Sequence, residues 1–149
     1  MTQEDKELLL KDLCARLPYG VKVAFFNEDL TYHSEPKTLT GIECINNLNY
    51  SSLEDEDGNT TIVEFVKPYL FPLSSMTEEQ WDKEFRGYGI TEFTRDSFKY
   101  GCETLEFNNN NPNLSKTVKF INQLIKNHFD IYGLIPKGLA IDATGLNIY

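Results

Sequence analysis

The stretch KPYLFPLSSMTEEQW, residues 67–81, constrains the fold of this chain more than any other. Pro68 and Pro72 donate no backbone hydrogen bond and force extended geometry on the residues before them. A few positions later, Thr77 to Gln80 fits a capping box, and Met76 with Trp81 occupies the two positions of a hydrophobic staple. The chain therefore changes structure type here, and two independent local rules place a helix start at Thr77. Gly87 and Gly89 limit that helix to roughly three turns, with Trp81, Phe85 and Tyr88 on one face.

Strand-like sequence dominates before this point. In VKVAFF, Val21, Val23 and Phe25 alternate with Lys22 and Ala24, the period of a half-buried strand. A second strand is expected around Leu30 and Tyr32, a third from Thr38 to Leu48, and a fourth over TTIVEFV at 60–66. EDEDGN ahead of the fourth supplies turn chemistry for a hairpin between the third and fourth, since Gly58 tolerates positive φ. The N-terminus reads as a helix capped by Thr2, with Leu9, Leu10, Leu13, Cys14 and Leu17 on the apolar face. Lys6, Glu7, Lys11 and Asp12 face water, and Pro18 and Gly20 end the helix.

Between Ile90 and Phe107 the pattern fits a bulged strand, and NNNNPN at 108–113 a surface loop. The last helix begins at Leu114 or Ser115. Val118, Ile121, Leu124, Ile125 and Phe129 form its apolar stripe, opposite Lys116, Lys119, Gln123 and Lys126. Gly133 suits a left-handed cap, after which Leu134, Ile135, Leu139 and Ile141 can pack back as a clasp. We expect one α+β domain over residues 1–149, with about three helices on a small, mainly antiparallel sheet of three to five strands.

Length and composition agree with this expectation. A chain of 149 residues can bury a core without disulfides or metals, and 40% hydrophobic content argues against wholesale disorder. The formal charge of −9 repels nucleic acid and anionic membrane, so neither is an expected partner. Cys14, Cys44 and Cys102 are odd in number and far apart; they read as buried thiols rather than a disulfide framework. The amphipathic, acidic N-terminus is not a secretory signal, and no stretch reaches transmembrane length, so the expected compartment is the cytoplasm.

Several partial motifs invite chemistry. Gly133 and Gly138 have the glycine spacing of a phosphate loop, but Leu139 and Ala140 stand where Lys and Ser or Thr are needed. His128, with Asp130 or Asp142, is a candidate acid/base set for a small hydrolase, though no nucleophile motif accompanies it. Asp55, Asp57, Gly58 and Glu64 fit positions of a calcium loop whose first ligand would be Leu53, so Asp55, Asp57 and Glu64 are retained only as calcium candidates. A zinc site from His33, His128 and the cysteines would lack any close ligand pair. No cofactor is expected. Tyr69, Leu70 and Phe71, between the prolines, are candidates for a partner-binding edge, with core anchoring as the competing role.

LLLKDLCARLPYGVKV at 8–23, KPYLFPLSSMTEEQ at 67–80 and NHFDIYGLIPKGLAIDATGLNIY at 127–149 resemble a family of uncharacterised small proteins found in gut-bacterial genomes and their prophages or other mobile elements. The resemblance implies a setting and assigns no residue a role. In that setting we expect a non-enzymatic, cytoplasmic interaction or regulatory protein that binds a protein partner. The alternatives are the small hydrolase using His128, and an acidic nucleic-acid mimic or inhibitor of a host defence system. The sequence leaves the oligomeric state open.

Overall fold

The computed structural model describes residues 1–45, 50–86 and 114–149. Within them the fold is α+β. Helix α1 spans Gln3–Arg16; strands β1 Lys22–Phe25, β2 Lys37–Ile45, β3 Tyr50–Asp55, β4 Thr60–Ile62 and β5 Val66–Leu70 follow. Helix α2, Glu78–Gln80, runs into a widened turn over Trp81–Phe85, and helix α3, Leu114–Lys126, precedes strand β6, Ile141–Asp142.

The sheet order is β4-β3-β2-β1-β5-β6. All pairings are antiparallel except β5 with β6, which is parallel and sets Tyr69 opposite Ile141 and Leu70 opposite Asp142. The expectation of three to five mainly antiparallel strands is thus corrected to a mixed sheet of six among the described residues. The pattern around Leu30 and Tyr32 forms no strand; it is a loop joined by one bridge, Phe26 with His33. Residues 60–66 do not run as one strand either, because a tight helical turn at Val63–Phe65 separates β4 from β5. The hairpin turn at EDEDGN joins β3 to β4, and β3 is a strand that alternation alone had not revealed. Pro68 sits inside β5, opposite Val23, and pairing with β6 starts only at Tyr69, past the proline.

The local rules hold at both helix starts. Thr2 accepts from the Asp5 N–H while the Asp5 carboxylate takes the Thr2 N–H, and Thr77 and Gln80 exchange the same pair of bonds. Met76 and Trp81 lie in one cluster, and the Trp81 and Phe85 rings stack at 6.0 Å. Tyr88, Gly87, Gly89, the strand expected within 90–107 and the loop at 108–113 lie outside the described residues.

Two apolar clusters hold the helices. Leu9, Leu10 and Leu13 of α1 pack on Val21, Val23, Leu39, Leu53, Val66 and Leu70, joined by Leu134 and Leu139 of the expected clasp. Phe120, Leu124, Ile125 and Phe129 pack with Leu73, Met76 and Phe85. Successive strand residues face opposite ways. Ala24 and Tyr69 therefore turn from the first cluster to meet Ala143, under a cover that includes Phe26, Ile141 and Ile148.

The helix faces need correction. Asp12, expected in water, is fully buried, whereas Cys14, expected in the core, is exposed. Val118 is exposed, and Thr117 and Phe120 take the buried side of α3.

Candidate functional site

The exit of α3 is locked by one side chain. Arg16 is fully buried and forms a two-pronged pair with Asp12, at 2.7 and 2.9 Å. It also donates to the carbonyls of Ile125, at 3.1 Å, and Phe129, at 2.7 Å. The Phe129 carbonyl, at the exit of α3, would otherwise lack a donor, while that of Ile125 also takes the His128 N–H. Burial pushes the Asp12 carboxyl up, against the opposing pull of Arg16.

Helix α3 closes in a Schellman arrangement: the Phe129 N–H reaches the Leu124 carbonyl, and the His128 N–H that of Ile125. The left-handed residue is His128, at φ +59°, and not Gly133 as expected; Gly133 is left-handed within the loop that follows. His128 is buried, its Nδ1 has no hydrogen-bond partner among the described residues, and its ring stacks on Tyr149 at 4.0 Å. Burial, then the Arg16 charge, lower its pKa to about 4.

Each sequence candidate has a definite place. Asp130 is buried and accepts the N–H groups of Tyr132 and Leu134 on one oxygen and of Ile135 on the other. Asp142 is exposed and accepts from the Thr144 N–H. No hydrogen bond joins His128 to either aspartate among the described residues. Asp55 accepts from Asp57 and Asn59 at the hairpin turn, Asp57 pairs with Lys37 at 2.7 Å, and Glu64 pairs with Lys6. No group of three His, Cys, Asp or Glu that could hold a metal occurs among the described residues. Leu70 is fully buried and Phe71 half-buried, while Tyr69 lines a cavity.

That cavity, about 400 Å³, lies between the loop after β1 and the C-terminal tail. His33, Glu35 and Tyr69 give it polar groups; Pro36, Ile141, Leu146 and Ile148 wall it. The loop folds on its own short polar side chains. Asn27 takes the Tyr32 N–H, Asp29 takes the Thr31 N–H, and the Ser34 hydroxyl takes the Phe25 N–H. Its tip holds Leu30 in the left-handed region, at φ +59°, and leaves Leu30 and Tyr32 53% and 70% exposed. Such backbone is costly for a side chain like leucine.

The tail wall is fixed from beneath. The Tyr149 hydroxyl donates to the Tyr69 carbonyl at 2.7 Å and accepts the Lys22 N–H at 3.0 Å. Burial pushes this phenol's pKa well up. Sequence reasoning weighed His33 only as a zinc ligand and passed over Glu35. The available signal was TYHSEPK, a turn-rich segment with an aromatic, an imidazole and a carboxylate within four residues. No protein-family model, no curated protein and no solved structure matches this chain.

Proposed function

We propose that this protein is a non-enzymatic binding or regulatory protein of the cytoplasm, and that it docks a protein partner on the face built by residues 26–36 and the C-terminal tail. The observation that carries this reading is the cavity there, small and mostly apolar, with Leu30, Tyr32 and Leu146 exposed on its two sides. Exposed apolar side chains beside a pocket with a few converging polar groups are the usual make-up of a recognition site.

Acidic groups elsewhere support a protein partner over a nucleic-acid mimic, because Glu56, Asp57 and Glu64 are matched by Lys22, Lys37 and Lys6. A mimic needs unmatched carboxylates at phosphate-like spacing. The resemblance to proteins of mobile elements fits a chain that acts on a host or phage protein.

Affinity capture from the native host, read by mass spectrometry, tests the reading. The doubly substituted Leu30→Ser, Tyr32→Ser protein is expected to lose the captured partner while keeping the wild-type unfolding midpoint. Undiminished recovery of the same partner by this folded variant would sink the docking face.

A further inference from the structure

We propose that the cavity takes an arginine side chain presented by the protein partner, its guanidinium meeting Glu35, His33 and Tyr69 and its aliphatic stem lying on Ile141, Leu146 and Ile148. The inference rests on the docking face above and names what that face reads.

Tyr69 lines the cavity, and its hydroxyl makes no hydrogen bond among the described residues. The neighbouring Tyr149 hydroxyl shows the contrast, with one bond donated and one accepted. Burial first and the negative charge of Glu35 second raise the Tyr69 pKa, so the phenol stays neutral and lies close enough to Glu35 to feel its charge.

The other two polar groups leave acceptors open. His33 Nδ1 lies 2.9 Å from the Ser34 carbonyl, and a carbonyl only accepts, so Nδ1 donates here and in the neutral ring Nε2 is the acceptor. Glu35 is exposed at the mouth and has no ion pair or hydrogen bond among the described residues. Among the described residues no Lys or Arg lines the cavity. A carboxylate, an imidazole nitrogen and a phenol oxygen thus await a ligand rich in donors.

A guanidinium presents five N–H donors in a fixed plane, which spread acceptors suit better than the point-like ammonium of lysine. Apolar walls favour a group carried on a methylene stem. The volume lies at the small end for ligand pockets, fitting a side chain rather than a helix. Leu30 and Tyr32, exposed on the loop that supplies His33 and Glu35, need a cover larger than any free guanidine.

The test titrates the full isotope-labelled chain with Nα-acetyl-arginine N-methylamide, its citrulline counterpart and agmatine, read by amide chemical shifts. The arginine probe is expected to shift His33, Glu35 and Leu146 saturably in the millimolar range. Citrulline, equal in shape and uncharged, should bind about tenfold more weakly, as should arginine to Glu35→Gln. Tyr69→Phe should weaken binding about threefold with an unchanged unfolding midpoint, since the hydroxyl has no partner among the described residues. Citrulline binding as well as arginine overturns the proposal, and agmatine binding more tightly than the blocked arginine overturns the protein source. No response to arginine, with partner capture still lost in the Leu30 and Tyr32 variant, removes the arginine and leaves the docking face standing. Arginine binding with capture unaffected removes the docking face and the protein source together.

Discussion

Arg16 bonds to carbonyls 109 and 113 residues away, whereas Asp55, at the β3–β4 turn, bonds two and four residues along the chain. Both side chains satisfy backbone groups. Arg16 does so with a buried charge balanced by Asp12, and it ties α1 to the exit of α3. Asp55 does so within a hairpin whose nearby ion pairs, Lys22 with Glu56 and Lys37 with Asp57, lie partly in solvent. The first arrangement is costly to half-remove and binds distant segments into one cooperative unit. The second is local, so damage to it should stay local.

The largest effect is expected from deleting residues 134–149, which removes the fully buried Leu134 together with Leu139, Ala140, Ala143 and the Tyr149 latch. The remaining chain should show no cooperative urea transition; a sharp, wild-type-like transition would refute the clasp. Next comes Arg16→Met, which strands a buried carboxylate and should cost about 3–5 kcal/mol in chemical denaturation. Substituting Asp12→Leu as well should recover most of that loss, because burial already disfavours the charged pair. A double variant no more stable than Arg16→Met would show that Arg16 matters chiefly through the carbonyls of Ile125 and Phe129.

His128 should give the pH signature of the clamp. Its folded pKa, about 4, lies below the ordinary 6.5, so the unfolded chain takes the proton first as pH falls. Its contribution is complete above pH 6.5 and is lost between there and pH 4, by up to about 2 kcal/mol between pH 7 and 5. His128→Asn, which also tolerates a left-handed backbone, should remove this slope; an unchanged slope would place its cause elsewhere. The smallest effect is expected at the hairpin. Asp55→Ala should cost about 1–2 kcal/mol and speed amide exchange in β3 and β4 ahead of α1. Equal acceleration in both would erase the contrast between the regions.

The sequence made local features readable and left the long-range ones hidden. Capping at Thr2 and Thr77, the staple at Met76 and Trp81, and the packing of Leu134 and Leu139 follow from neighbouring residues. Asp12 looked like a member of a solvated face and Arg16 drew no notice, although with Leu9 and Leu13 they repeat at i, i+3, i+4 and i+7, the spacing of a buried stripe. Charge outweighed spacing in that reading. The left-handed residue was sought at Gly133, where glycine makes it easy, and the structure puts one at His128 too, held by tertiary packing. Of the cavity, Tyr69 was legible as a candidate. His33 and Glu35 were not, since nothing local states that the C-terminal tail, about a hundred residues later, will form the opposite wall.

Strand β6 is only two residues long, and its contribution to the sheet's hydrogen bonding is small. Its position matters more. Without it, β5 would be the border of the sheet, offering Tyr69 and Leu70 with unpaired backbone groups to any strand that came by. Apolar borders of that kind recruit copies of themselves. Ile141 and Asp142, with the Ala143 N–H on the Leu70 carbonyl, act as a guard against self-association. The last stretch of this chain thus protects the protein from its own strands as well as shaping the cavity wall.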